Sequence, residues 1–276
     1  MSAVAEIPTP PRENRVGRVT FPRVVHSEWT KLRSVRSTRW SFLLAIVFTI
    51  GLAALTSAVV EAHWSSMSPQ DRADFKPLDV SFIGVFLAQL PIAVLGVLVI
   101  TGEYSTGMIR ASLTAVPKRL PMLWAKTAVF AAVTFLLMLP ATLIAFFVAQ
   151  AILSGQSIDI GLSHSGVLRA IVGAALFSTV NGLLALGIGA SIRNTAGGIA
   201  AFAGLLFVIP PLLNVLPSSW NNAISPYLPG DAGSQSMSIS HSGGHSLSPW
   251  AGFAVLCGWA AAALALAALL LVRRDT

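Results

Sequence analysis

Apolar and polar positions divide this 276-residue chain into six long hydrophobic runs with short polar connections between them. The runs are Trp40 to Val60, Val80 to Thr101, Trp124 to Leu153, Val167 to Ile192, Ala196 to Pro217 and Trp250 to Val272. Roughly 20 apolar residues carry a helix across the hydrocarbon of a bilayer, so each run predicts one membrane span. The expected fold is an all-α integral membrane protein with a six-span domain over residues 40–272.

Basic residues fall in every second connection, and positive charge is retained on the cytoplasmic side during insertion. Eight arginines and lysines precede the first run, from Arg12 to Arg39. The next connection has Arg72 and Lys76 against three aspartates, and the one after it has Arg110, Lys118 and Arg119, with Lys126 just inside the third run. Residues 154–168 and 218–249 hold no lysine or arginine, the turn between runs four and five has Arg193, and the tail 273–276 begins with Arg273 and Arg274. This alternation predicts both termini in the cytoplasm. No cleavable leader is expected before the first run, which would act as a signal anchor.

With 54% hydrophobic residues, 11% charged residues and a mean hydropathy of +0.74, the chain is outside the range of soluble domains. Its pI near 10.5 does not point to nucleic acid, because the excess charge lies next to the spans, where anionic lipid head groups are the nearer partner. The single Cys257 is midway along the sixth run, so no intrachain disulfide forms.

Residues 1–20 combine Pro8, Pro10 and Pro11 with scattered charges and too little apolar surface to fold, so they are expected to form a disordered tail. Over residues 21–39 the pattern predicts an interfacial helix opened by Pro22. Val25, Trp29, Leu32 and Val35 share one face, and Arg23, His26, Lys31, Arg33 and Arg36 the other. That distribution suits a helix lying at head-group depth. Its charged face, with Glu28, is free to serve as a surface anchor or to dock a cytoplasmic partner.

Between the second and third runs lies GEYSTGMIRASLTAVPKR, Gly102 to Arg119. Met108, Ile109, Leu113 and Val116 fall on one side of a short amphipathic helix that Pro117 would end. On composition alone it reads as a turn held by Glu103 pairing with Arg110 or Lys126.

Two stretches, HSEWTKLRSVRSTRW (His26 to Trp40) and GEYSTGMIRASLTAVPKR followed by Lys126, resemble the membrane subunits of ABC-2 type exporters, in particular six-span actinobacterial permeases. The six-span layout and the Tyr227, Leu228, Pro229 stretch fit the same family, so the likeness covers nearly the whole chain. It implies a half-transporter that pairs with a second permease copy and with two copies of a separate ATPase subunit. The segment matched by Tyr104 to Val116 would be a coupling helix seated in a groove of that ATPase, with Glu103, Tyr104, Gly107, Met108, Arg110 and Leu113 as its candidate residues. The interface helix, with Trp29, Lys31, Arg33 and Arg36, would pack beside it. Ser105 departs from the family, which often has a basic residue there.

No glycine is followed by lysine anywhere in the chain, so it contains no Walker A loop. The chain is therefore not expected to be an enzyme or to bind a cofactor itself; ATP and Mg would belong to the partner ATPase. Polar residues inside spans are costly and usually face a bundle interior or a cavity. Gln89 and Asn214 are candidates for a translocation path, and Asn181 for interhelical hydrogen bonding. A path without ionised groups suits an amphipathic or lipid-like cargo such as an antibiotic, peptide or lipid. Small residues four apart (Ser178 and Gly182, Ala185 and Gly189, Ala200 and Gly204) predict close crossings, within the monomer or at a dimer seam.

The last outside connection, Ser218 to Pro249, reads as a solvated loop with Trp220 and Tyr227 at the membrane interface. Its HSGGH stretch has Gly243 and Gly244 between the histidines, which argues against a helical metal site. An intramembrane enzyme is disfavoured because none of the five histidines lies within a run. A membrane-bound sensor or assembly factor that binds a cytoplasmic partner without transport would have much the same sequence.

Overall fold

The structure, a computed structural model, describes residues 20–105, 119–239 and 247–273. All regular structure among them is helical. Helix α1 (Phe21–Ser34) starts with Pro22 in its first turn, where a missing amide hydrogen costs nothing, and ends at Val35, whose extended backbone makes a one-residue elbow into α2 (Arg36–His63). A short α3 (Pro69–Ala73), capped by Ser68 accepting from the Asp71 amide, leads to α4 (Pro77–Ser105). Then come α5 (Arg119–Leu153) and α6 (Val167–Ile192). The fifth apolar run is a composite: α7 (Thr195–Ala203), a π-helical turn (Gly204–Val208) and α8 (Ile209–Leu213). Helices α9 (Ser218–Ile224) and α10 (Pro229–Ser234) precede the last long helix, α11 (Pro249–Arg273).

Six helical stretches are long and apolar enough to cross a membrane: Arg36–Ser66, Pro77–Tyr104, Leu120–Gln156, Val167–Ile192, Thr195–Leu213 and Pro249–Arg273. They coincide with the six hydrophobic runs, and by length and composition they make the chain a multi-pass membrane protein. The fifth is shorter than the run that predicts it, because the helix stops at Leu213, after Pro210 and Pro211. The tail 1–19, the connection 106–118 with its expected coupling helix, residues 240–246 with both loop histidines, and residues 274–276 lie outside the described residues.

Helix α6 is the central post. Its middle carries Gly173, Ala174, Ala175, Ser178, Gly182, Ala185 and Gly189, all buried, so neighbouring backbones approach closely. It packs against α4 on one side and α11 on the other. The pairs Ser178 with Gly182 and Ala185 with Gly189 therefore build the interior of the monomer. Ala200 is exposed and Gly204 faces open space, so that third pair takes no part in the packing of the monomer.

The segment after the fifth run departs from the solvated loop expected of it. Residues Pro229, Ala232, Gly233, Ser236 and Met237 are buried. Helix α10 and the turn Gln235–Met237 wedge between the first turns of α6 and α11. The fit depends on two glycines. A Cβ on Gly173 would strike the Ser236 carbonyl, and one on Gly252 would strike the carbonyl of Ala232. Arg169, near the start of α6, fastens the wedge by donating from Nη2 to the Ser238 carbonyl at 2.8 Å. Trp220 and Tyr227 are exposed.

Glycine position alone should therefore decide the sign of a substitution. Gly173→Ala, overpacked against backbone, is expected to cost about 1–3 kcal/mol. Gly258→Ala, on α11 with nothing near its Cβ, should be neutral or stabilising by up to about 1 kcal/mol. Denaturant unfolding of both variants in detergent measures the contrast.

Candidate functional site

At the end of the bundle where α1 lies, four charged side chains from three helices close on one another. Glu28 and Lys31 come from α1, Glu103 from the last turn of α4, and Lys126 from the second turn of α5. Lys126 donates to Glu28 Oε2 at 2.5 Å and to Glu103 Oε1 at 2.9 Å. Lys31 donates to Glu28 Oε1 at 2.7 Å and to the same Glu103 Oε1 at 2.9 Å. Glu28, Glu103 and Lys126 are each about 95% or more removed from solvent, whereas Lys31 is partly exposed. The second Glu103 oxygen, Oε2, is buried and accepts no hydrogen bond from the described residues.

The composition-based pairing of Glu103 with Lys126 is thus present, and it is one edge of a larger network. Arg110, the other partner considered, lies outside the described residues, as do Gly107, Met108 and Leu113. Helix α1 buries Val24, Glu28 and Leu32, with Lys31 beside them, so Glu28 of the expected charged face turns inward together with Leu32 of the expected apolar face. Trp29 and Val35 are exposed, as are Arg33 and Arg36. The reason is electrostatic: α5 presents Lys126 and α4 presents Glu103, so the helix turns its own charge pair inward and leaves its tryptophan on the outer surface, where lipid would lie.

Lys31 shows how the balance falls. Burial by itself would lower its pKa, but the hydrogen bonds and charges of Glu28 and Glu103 outweigh burial and raise it above the ordinary lysine value. A raised lysine contributes stability that is fully present below its unfolded value of about 10.4 and is lost as pH rises through the folded one. That arm of the network is therefore intact throughout the neutral range.

The next residue along α4, Tyr104, points about 100° away around the helix and meets a different neighbour. Arg193 stacks over its ring with 5.0 Å from guanidinium carbon to ring centroid. Arg193 ends α6 in a left-handed conformation (φ 59°), where glycine is usual, and also donates to the Leu270 carbonyl of α11 at 3.2 Å. One turn earlier, Thr101 accepts a 2.8 Å hydrogen bond from Thr195 of α7. The end of α4 is thereby tied to α1 and α5 by Glu103, and to α6, α7 and α11 through Tyr104, Arg193 and Thr101.

The polar span residues are placed apart from this cluster. Gln89 is buried, and its amide donates within its own helix to the Val85 carbonyl at 3.2 Å. Asn181 bonds to its own turn as well, at the Phe177 carbonyl, and not across helices as expected. Asn214 is exposed just past α8 and accepts from Asn221 at 3.1 Å. Sequence reasoning misses Gln150, which joins Ser81 of α4 to the Ile160 amide. It also misses the inward turn of Glu28. A signal exists, since Glu28 is the one acidic residue between Glu13 and Glu61 in a strongly basic stretch. Among the described residues no group of His, Cys, Asp or Glu is arranged to hold a metal.

Comparison with protein-family models finds no match, and comparison with curated proteins finds no relative.

Removing one partner of a buried ion pair leaves an uncompensated charge and costs about 3–5 kcal/mol. Lys126→Met is therefore expected to destabilise the protein by that order. Lys31→Met leaves Glu28 and Glu103 sharing Lys126 alone, but at a partly exposed position where water takes part of the ammonium's place, so it should cost less, about 1–3 kcal/mol. Unfolding titrations of the two variants test the ranking, and equal losses would refute it.

Proposed function

We propose that the chain is the permease subunit of an ABC-2 type exporter, which pairs with a second permease and two copies of a separate ATPase to move an amphipathic or lipid-like cargo. The observation that carries this reading is the junction at the end of α4. A helix that leads directly into the connection 106–118 is fixed by neighbouring side chains to five other helices. A partner pressing on that connection would move α1, α4 and α5 together and would reach α6, α7 and α11 through Arg193 and Thr195.

The motif resemblance of GEYSTGMIRASLTAVPKR supplies the identity of the partner, and the lack of a Walker A loop requires that ATP be hydrolysed elsewhere. The resemblance alone supplies the direction of transport. The buried network adds a mechanical reason for Glu103 to stand at this point: it transmits force only if it stays paired. For that reason Glu103→Ala should impair folding as well as coupling, which makes it a poor probe of coupling alone. Arg110, in the connection itself, is the better probe.

The experiment is to co-express the chain with candidate ATPases, purify through a tag on the permease and measure ATP hydrolysis in nanodiscs with and without amphiphiles. Stable co-purification with cargo-stimulated hydrolysis is the expected result. Arg110→Ala should keep the complex and its basal hydrolysis while losing most of the stimulation. A well-folded permease that associates with no ATPase would instead favour a sensor or assembly factor.

A further inference from the structure

The elbow at Val35 leaves the start of α2 open. Val35 precedes the first turn and offers no side-chain cap, the turn itself has no acidic residue, and no cap or turn bond occupies the amides of Arg36, Ser37 and Thr38. A long helix carries about half a positive charge at this end, where its first amides lack partners. The turn nevertheless holds Arg36 and Arg39, both exposed, and Arg33 is exposed on the other side of the elbow. Among the described residues none of these three arginines pairs with a carboxylate, because the ion pairs all belong to the network, where Lys31 and Lys126 already offset Glu28 and Glu103. With Glu28 turned inward, the chain has no other acidic residue before Glu61. Positive charge thus collects around one turn with nothing of the protein's own to balance it.

Thr38, on the same turn, is only 6% exposed, yet its hydroxyl makes no hydrogen bond among the described residues. Other buried threonines return the hydroxyl to the carbonyl four residues back, as Thr49 does to Ala45, Thr101 to Val97 and Thr127 to Leu123. For Thr38 that carbonyl belongs to Ser34, and the extended backbone of Val35 takes it out of the helix. Nor is the hydroxyl sealed in, as those of Ser57 and Thr134 are. Thr38 lines a cavity of about 360 Å³ that lies between the elbow and helices α4 and α5, together with Ser34 and Ser37. The rest of its wall is chiefly apolar, formed by Leu32, Val35, Leu95, Leu98, Val99 and Val129. This size falls within the range of small-ligand sites, about 300–1,000 Å³.

Unpartnered amides at a helix start, a hydroxyl donor and arginines without carboxylates are the groups that hold a phosphate, and the apolar wall beside them takes a hydrocarbon chain. We infer that the elbow binds an anionic phospholipid, whose phosphate caps α2 at residues 36–38 and accepts from Thr38 while one acyl chain lies in the cavity. The three arginines select a head group of net negative charge, because the ammonium of a zwitterionic lipid would be repelled by them. Depth agrees with this placement. Residues 36–39 are the last polar turn before the apolar run from Trp40, and exposed Trp29 and Trp40 are residues of head-group depth. The site stands on this geometry whether or not the chain partners an ATPase.

The test uses the full chain in phosphatidylcholine nanodiscs and a phosphatidylglycerol with a photoactivatable group on its acyl chain. Saturable labelling of residues 95–99 and of Val129 is expected, and unlabelled phosphatidylglycerol should compete about tenfold or more better than added phosphatidylcholine. Thr38→Val, which keeps the shape of the side chain and removes the hydroxyl, should weaken binding about tenfold through loss of a hydrogen bond to a charged acceptor. Arg36→Gln combined with Arg39→Gln, at exposed positions, should weaken it by at least as much. Labelling that does not saturate, or equal competition by phosphatidylcholine, would overturn the proposal on the wild-type protein without recourse to any variant. Unchanged binding by the Thr38 and arginine variants would overturn it as well. Inorganic phosphate competing as strongly as the lipid would mean an anion held without a chain, and would overturn the assignment to a phospholipid.

Discussion

Everything at the α1 end of the bundle depends on one constraint: charges withdrawn from water must be matched. Glu28, Glu103 and Lys126 are almost fully buried, and none of them would be tolerated there alone. Because the three come from three separate helices, satisfying them fixes those helices relative to one another. Helix α1 has few buried apolar residues of its own, so packing by itself would let it roll on the bundle. The ion network sets its rotation, which in turn decides that Trp29 faces outward and Leu32 inward.

The opposite end is organised by a different constraint, the close approach of backbones. Between helices, lipid supplies no hydrophobic drive, so contact area and small residues decide the packing. Gly173 and Gly252 admit the α10 wedge, and the small-residue middle of α6 admits α4 and α11. The two ends differ accordingly. One is held by a few strong, directional contacts at the point where a helix leads out to its connection, and the other by many weak ones.

Much of this is legible in the sequence. The six runs mark the six long helices to within a few residues at most ends, because length and hydropathy are properties of a single segment. Glu103 with Lys126 is legible as a pair, since both flank one connection. Glu28 is not, because its buried partner Lys126 is 98 residues away and its own helix presents an apolar stripe at Val25, Trp29 and Leu32. The α10 wedge is hidden for a related reason: Pro229 to Met237 is rich in glycine and serine and reads as loop, and its burial is decided by the glycines of two distant helices. Asn181 reads as an interhelical bridge, yet its own helix offers the Phe177 carbonyl at closer reach.

Glu28 and Lys126 act as one unit that pins α1 to α5. A double-mutant cycle on unfolding free energy in detergent, using Glu28→Gln, Lys126→Met and the double variant, measures that coupling. The double variant should lose less stability than the two single variants summed, by about 1–3 kcal/mol. Additive losses, within about 0.5 kcal/mol, would mean that the two charges are buried side by side without holding the helices together.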